Sequence, residues 1–186
     1  VLFGEYNPAG RLPVTFYKSI DQLPPFEDYN MAGRTYRYIR GEPLYPFGYG
    51  LSYSRFDYSN LMVTPSTLHT GDSVTIRVEV SNVGGISGDE VAQLYLQCPE
   101  APGTIKIWHL QGFERLHLDA GEKRIISFTL SGENLETIDV QGKSVLLSGT
   151  YRLMTGGYFP GQRIQADLPR TKNLSNVLVG SFVLEA

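Results

Sequence analysis

The sequence is nearly devoid of cysteine: Cys98 stands alone among 186 residues. No intrachain disulfide can form, and stability has to come from a packed core. A lone thiol of this kind is expected as a small apolar filler near a strand end rather than a nucleophile. Histidine is also scarce. His69, His109 and His117, with Cys98, show no metal-ligand spacing, so neither a metal nor any other cofactor is expected. There is one tryptophan, Trp108, expected with His109 in a loop before Phe113. No run approaches the ~18 apolar residues that cross a bilayer, and no membrane partner is expected. Basic residues give no excess: the net charge is −3 and the pI about 5.6, which speaks against a nucleic-acid surface. No stretch of eleven residues or more carries a helical apolar stripe. The chain opens Val1-Leu2-Phe3-Gly4, without an initiator Met or the charged and apolar regions of a secretory signal. The expectation is a piece whose start, with any targeting information, lies elsewhere.

Aromatic residues and turn formers, by contrast, are plentiful, and they are unevenly spread. Residues 1–58 hold 9 of the 12 Tyr and 5 of the 9 Phe and carry no net charge; the remainder carries the whole −3. Asn7-Pro8-Ala9-Gly10, Leu23-Pro24-Pro25, Gly41-Glu42-Pro43 and Tyr45-Pro46-Phe47-Gly48-Tyr49-Gly50 punctuate this part and forbid long helices. A winding segment has little interior of its own for so many rings, so it is expected to pack against a neighbouring domain or a partner.

From about residue 59 the pattern turns regular. Val74, Ile76, Val78 and Val80 alternate with polar residues, as do Ile126, Phe128 and Leu130. Leu61 to Thr64, Val91 to Leu96, Phe113 to Leu118, 144–147, Tyr151 to Thr155 and Val177 to Leu184 complete a set of short strands. Asn82-Val83-Gly84-Gly85 and Asp119-Ala120-Gly121-Glu122 supply turns. Such spacing predicts an immunoglobulin-like antiparallel β-sandwich over 59–186. Tyr151, following Ser148-Gly149-Thr150, is a candidate for the tyrosine that pins a sandwich corner by bonding back to the chain.

Two blocks carry a family resemblance. Asn7-Pro8-Ala9-Gly10-Arg11-Leu12-Pro13 and the long run Tyr45-Pro46-Phe47-Gly48-Tyr49-Gly50-Leu51-Ser52-Tyr53 resemble the end of the α/β domain of glycoside hydrolase family 3. Val80-Ser81-Asn82-Val83-Gly84, Gln93-Leu94-Tyr95, Leu110 to Arg115 and Ala120-Gly121-Glu122 resemble the fibronectin type III-like domain of the same enzymes. The fold class implied is mainly β: a sandwich (59–186) preceded by the tail of an incomplete α/β domain (1–58). Asp28-Tyr29-Asn30-Met31 and Gly33 to Tyr38 resemble the β-xylosidase branch. The resemblance implies retaining hydrolysis of terminal non-reducing sugars, β-xylosides with glucosides and arabinosides as alternatives, by two carboxyl groups. It places both upstream, so none of the catalytic residues is expected in this chain. The implied partners are the upstream catalytic domains of the same polypeptide and an oligosaccharide substrate, and the implied location is the periplasm or the exterior.

Structural roles are expected for the recognisable residues. Tyr45, Phe47, Tyr49, Tyr53 and Phe56 are candidates to mortar the sandwich onto the α/β domain, with a sugar-stacking platform as the sharper reading. Gly48, Gly50 and Gly33 are candidates for backbone angles or close approaches that a Cβ would forbid. Arg34, with Tyr36 and Arg37 beside it, is a candidate fork that clamps carboxylates or backbone carbonyls. Asp28 is expected as a loop carboxylate paired to Arg34. Asn173-Leu174-Ser175 is a glycosylation acceptor pattern. The alternatives are a stand-alone carbohydrate-binding or adhesion module and a domain that forms a homodimer through a sheet edge.

Overall fold

In a computed structural model of the chain, residues 1–39, 41–99, 108–159 and 175–185 are described. Among these residues ten strands follow in chain order: β1 Phe56–Thr64, β2 Thr67–His69, β3 Val74–Asn82, β4 Gly88–Gln97, β5 Trp108–Leu118, β6 Lys123–Leu130, β7 Glu136–Ile138, β8 Ser144–Leu146, β9 Gly149–Gly156 and β10 Val177–Glu185. Among the described residues, helix is confined to single turns: a 3-10 turn at Ile20–Gln22, α1 at Thr35–Tyr38 and α2 at Gly132–Leu135. The strands form a three-stranded sheet, β1-β3-β6, a five-stranded sheet, β2-β10-β9-β4-β5, and a hairpin, β7-β8.

The alternation in the sequence sets the faces. In β3, Val74, Ile76, Val78 and Val80 are fully buried, while Thr75, Arg77 and Glu79 face outward. They meet Leu94 and Leu96 of β4, Leu153 of β9 and Phe182 of β10 at one end of the sandwich, and Ala92, Leu116 and Leu118 at the other. Asn60 takes a left-handed conformation (φ 53°) at a bulge between Ser59 and Met62, and Leu61 packs against both clusters.

Two short strands, β2 and β7, were not expected; three residues with one buried side chain carry no periodicity. β2 runs parallel to β10, because the chain leaves β1 of one sheet and joins the far edge of the other. Trp108 and His109 belong to β5 and not to a loop, paired with Gln97 and Leu96.

Tyr151 lies fully buried in β9, stacked on Phe182 at 5.2 Å, with its hydroxyl 2.8 Å from Leu147 O and 3.1 Å from Leu135 O. It thereby ties β9 to the chain before it and to the end of α2. Removing the hydroxyl takes that donor from Leu147 O and Leu135 O, so Tyr151→Phe is expected to lower the unfolding free energy by about 1–2 kcal/mol in urea titrations. An unchanged midpoint would remove the corner role. Cys98 follows β4 against the same core, 3.7 Å from Leu135 O, and burial pushes its thiol up to about 11, which keeps it unreactive.

Candidate functional site

β4 is buried on both faces, which a sandwich strand ordinarily is not. Its even-numbered residues face the sandwich interior. Its other face, Gln93 and Tyr95, is covered by the N-terminal segment. That segment first makes a short ladder of its own: Gly48 N donates to Leu12 O (2.8 Å), Leu12 N to Tyr49 O (2.9 Å) and Phe16 N to Tyr45 O (2.9 Å). The ladder is laid on the five-stranded sheet. Phe159 N donates to Phe47 O (3.1 Å), and Gln93 Nε2 donates to Gly157 O (2.9 Å) and Gly48 O (3.3 Å).

Rings fill the space between. Tyr36 stacks on Phe47 at 4.5 Å and meets Phe159 and Tyr95 edge-on at 5.2 and 6.1 Å. Its hydroxyl accepts Leu110 N of β5 (3.1 Å). Tyr45 and Tyr49 lie 5.1 Å apart, Tyr49 buried and Tyr45 half-buried. Phe56 opens β1 and is buried in the sandwich core. Tyr53 is exposed and donates to Val1 O (2.7 Å). Gly48 has φ 77°, and a Cβ there would strike the Gln93 side chain; a Cβ on Gly50 would strike Gly10 O and Arg11. Gly33 is left-handed, φ 75°, in open space.

The strongest polar link is Arg11 with Glu90. Arg11 Nη2 meets Glu90 Oε2 at 2.5 Å and Arg11 Nε donates to Gly157 O (3.1 Å), while Tyr58 of β1 donates to Glu90 Oε1 (2.9 Å). The Glu90 side chain is 1% exposed and that of Arg11 12%. Burial pushes the Glu90 carboxyl above its ordinary value; Arg11 and the Tyr58 hydroxyl pull it back without cancelling the effect. Both carboxylate oxygens are occupied, which makes Glu90 a structural anchor and not a proton donor to a ligand. Asn7 adds a second clasp: its Oδ1 accepts Tyr53 N (2.8 Å) and Ser52 Oγ (3.0 Å), and its Nδ2 donates to Ser87 O (3.2 Å).

Arg34 does act as a clamp, but on carbonyls: Nε donates to Asn30 O (2.9 Å) and Nη2 to Asp28 O. The Asp28 carboxylate instead accepts Asn30 N and Nδ2 (2.9 and 2.7 Å), which corrects the expected Asp28–Arg34 side-chain pair. Arg37 Nε lies 3.4 Å from Tyr36 Oη. Among the described residues no cluster of three or more His, Cys, Asp or Glu could hold a metal, and no helix is long and apolar enough to cross a membrane. Asn173 and Leu174 of the glycosylation pattern lie outside the described residues.

Arg11, Glu90, Tyr58 and Asn7 were not singled out in the sequence as a site. One signal was there: Glu90 shares the register of Ala92, Leu94 and Leu96, a carboxylate in an apolar row. Its partner lies 79 residues away, and no local pattern reveals it.

Residues 1–53 match the glycosyl hydrolase family 3 C-terminal domain and residues 90–158 the fibronectin type III-like domain. The chain is 42% identical over 158 residues to the xylan 1,4-beta-xylosidase of Xylanibacter ruminicola, covering 84% of this chain and 18% of that protein. It is 37% identical over 168 residues to the periplasmic beta-glucosidase of Salmonella typhimurium, covering 84% and 22%. Among solved structures it is similar to beta-glucosidase 3B from Thermotoga neapolitana, with a TM-score of 0.78 at 28% identity over 98% of this chain and 25% of that one. It is also similar to a beta-glucosidase from Erythrobacter marinus, with a TM-score of 0.77 at 29% identity over 100% and 23%. The chain thus spans about a fifth of the length of these curated relatives.

Proposed function

We propose, from the premise that this chain belongs to glycoside hydrolase family 3 and is the C-terminal part of such an enzyme, that it is the scaffold of a retaining, exo-acting β-glycosidase. The division proposed is 1–58, completing the α/β domain, and 59–186, the sandwich. The catalytic carboxylates then belong to the upstream polypeptide, and this part stabilises the domains that carry them. The observation that carries the reading is the two-sided segment 1–58. One side is clasped to the sandwich by Arg11–Glu90, Asn7 and the Tyr36–Phe47 stack, while Leu2, Phe3, Ile20 and Phe26 on it are 80–94% exposed. Apolar surface of that size calls for a cover.

The substrate proposed is a plant-derived β-xylo-oligosaccharide, supported by the Asp28 to Met31 and Gly33 to Tyr38 sequences and by the likeness to a xylan 1,4-beta-xylosidase. β-Glucosides and arabinosides are the alternatives. Export to the periplasm or the exterior goes with that substrate.

The test is hydrolysis of 4-nitrophenyl β-xyloside and β-glucoside by this 186-residue chain beside a polypeptide extended upstream. Activity is expected only in the longer protein, with the xyloside preferred. Hydrolysis by the 186-residue chain alone would show a carboxylate pair within it and overturn the scaffold role.

A further inference from the structure

Residues 12–17 form one side of the N-terminal ladder, and only one of their own edges is spent. Phe16 N donates to Tyr45 O (2.9 Å) and Phe16 O accepts Leu44 N (2.8 Å), so the peptide groups of Phe16 face residues 44–45. In extended backbone the peptide groups of the two neighbouring residues point the opposite way. These are the N–H and C=O of Thr15 and Tyr17, and none of the four makes a hydrogen bond among the described residues. Thr15 Oγ1 is without a partner as well, although it is shut off from solvent, a deficit that folded proteins seldom leave.

Edges that stay in water are ordinarily blunted by charge, by proline or by a bulge. Here Pro13, with a bend at Pro13 and Val14, blunts the first half of the run only. Over residues 15–17 no charged side chain guards the edge, and all three residues are β-branched or aromatic, types that favour strands. Beside it Val14 and Phe16 are 49% and 45% exposed, an apolar face for alternate side chains of an added strand. At β1 the molecule closes such an edge itself. The Asn176 side chain takes both peptide groups of Tyr58 (2.6 and 2.8 Å), in the manner of a neighbouring strand.

We propose that an extended, uncharged segment of the upstream polypeptide adds as a strand to the edge of residues 15–17, supplying acceptors to Thr15 N and Tyr17 N and donors to their carbonyls. This rests on the glycosidase reading, in which the rest of the enzyme lies upstream, and deepens it by naming how that part is held. The relatives leave ample length for it, since the chain spans 18% and 22% of two of them. A segment of the same polypeptide is favoured over a second copy of this chain, because tethering gives it an effective concentration in the millimolar range.

The test is residue-resolved amide hydrogen exchange in the 186-residue chain and in the polypeptide extended upstream. Phe16, bonded to Tyr45 O, is expected to be protected in both. Thr15 and Tyr17 are expected to exchange freely in the 186-residue chain and about a hundredfold more slowly in the longer polypeptide. Thr15→Pro removes a donor that the ladder does not use. It should lower Tm about 2–4 °C further in the longer polypeptide than in the 186-residue chain. Free exchange of Thr15 and Tyr17 in the longer polypeptide, or equal falls in Tm, would overturn the proposal. Protection in the 186-residue chain that grows with its concentration would give the edge to a second copy and overturn it too. Hydrolysis of the β-xyloside is scored separately: its absence in the longer polypeptide sinks the glycosidase reading, while the exchange of Thr15 and Tyr17 still decides the strand.

Discussion

Replacing Arg11 by Met lowers the unfolding free energy of the chain by about 3–5 kcal/mol at pH 7, the cost of leaving a buried carboxylate without its counter-charge. Glu90 sits beneath the N-terminal segment and keeps only the Tyr58 hydroxyl as a donor. The loss depends on pH in a defined direction. Burial already raises Glu90 above its ordinary value in the folded chain, and removing Arg11 raises it further. A carboxyl raised on folding contributes stability that is complete below its unfolded value and is lost as pH rises through the folded one. The gap between wild type and Arg11→Met should therefore narrow as pH falls below 7, because Glu90 takes up its proton in the variant before it does in the wild type. Urea unfolding at pH 7 and pH 5 checks this. The double variant Arg11→Met, Glu90→Leu should recover most of the stability, because an apolar pair leaves no charge uncompensated. A penalty independent of pH would mean that Arg11 acts through packing alone.

Gly50→Ala is expected to cost about 3 kcal/mol, at the upper end for overpacking. A Cβ at this position would strike Gly10 O and the Arg11 side chain together. A backbone carbonyl has no rotamer to retreat into, so the ladder of residues 10–16 must lift from residues 45–50, carrying Arg11 away from Glu90. In thermal unfolding this corresponds to a drop in Tm of roughly 6–12 °C for a chain of this size. Gly10→Ala is the control: nothing lies within 4 Å of its added Cβ and its φ is not left-handed, so its Tm should stay within about 2 °C of wild type. Equal effects at Gly10 and Gly50 would point to loss of glycine flexibility and not to the close approach.

Much of the sandwich was legible from periodicity. Val74 to Val80 and Ile126 to Leu130 name their own faces, since a strand with one side in water and one in the core has to alternate. Tyr151 near the start of its strand and the block ending in Tyr49-Gly50 were visible as well, because local backbone geometry and large rings leave marks within a few residues. The short strands β2 and β7 left none, and Trp108 and His109 passed for a loop because the register slips at Leu94/Tyr95 where β5 pairs with β4. Which aromatic rings are buried could not be read from composition: Phe47 and Tyr49 turn inward, Phe26 and Tyr29 outward, although all four sit among prolines and glycines. That choice belongs to the sheet they meet. By itself the sequence determined the β class, the strand faces, the family and the lack of a disulfide, all properties of residue type and short-range spacing. Only the tertiary structure decided that Arg11 would neutralise Glu90 across 79 residues, that β4 would be buried on both faces, and that Arg34 would hold carbonyls in place of a carboxylate. Those pairings depend on long-range chain closure, and the free energy that selects them exists only once both partners have left water.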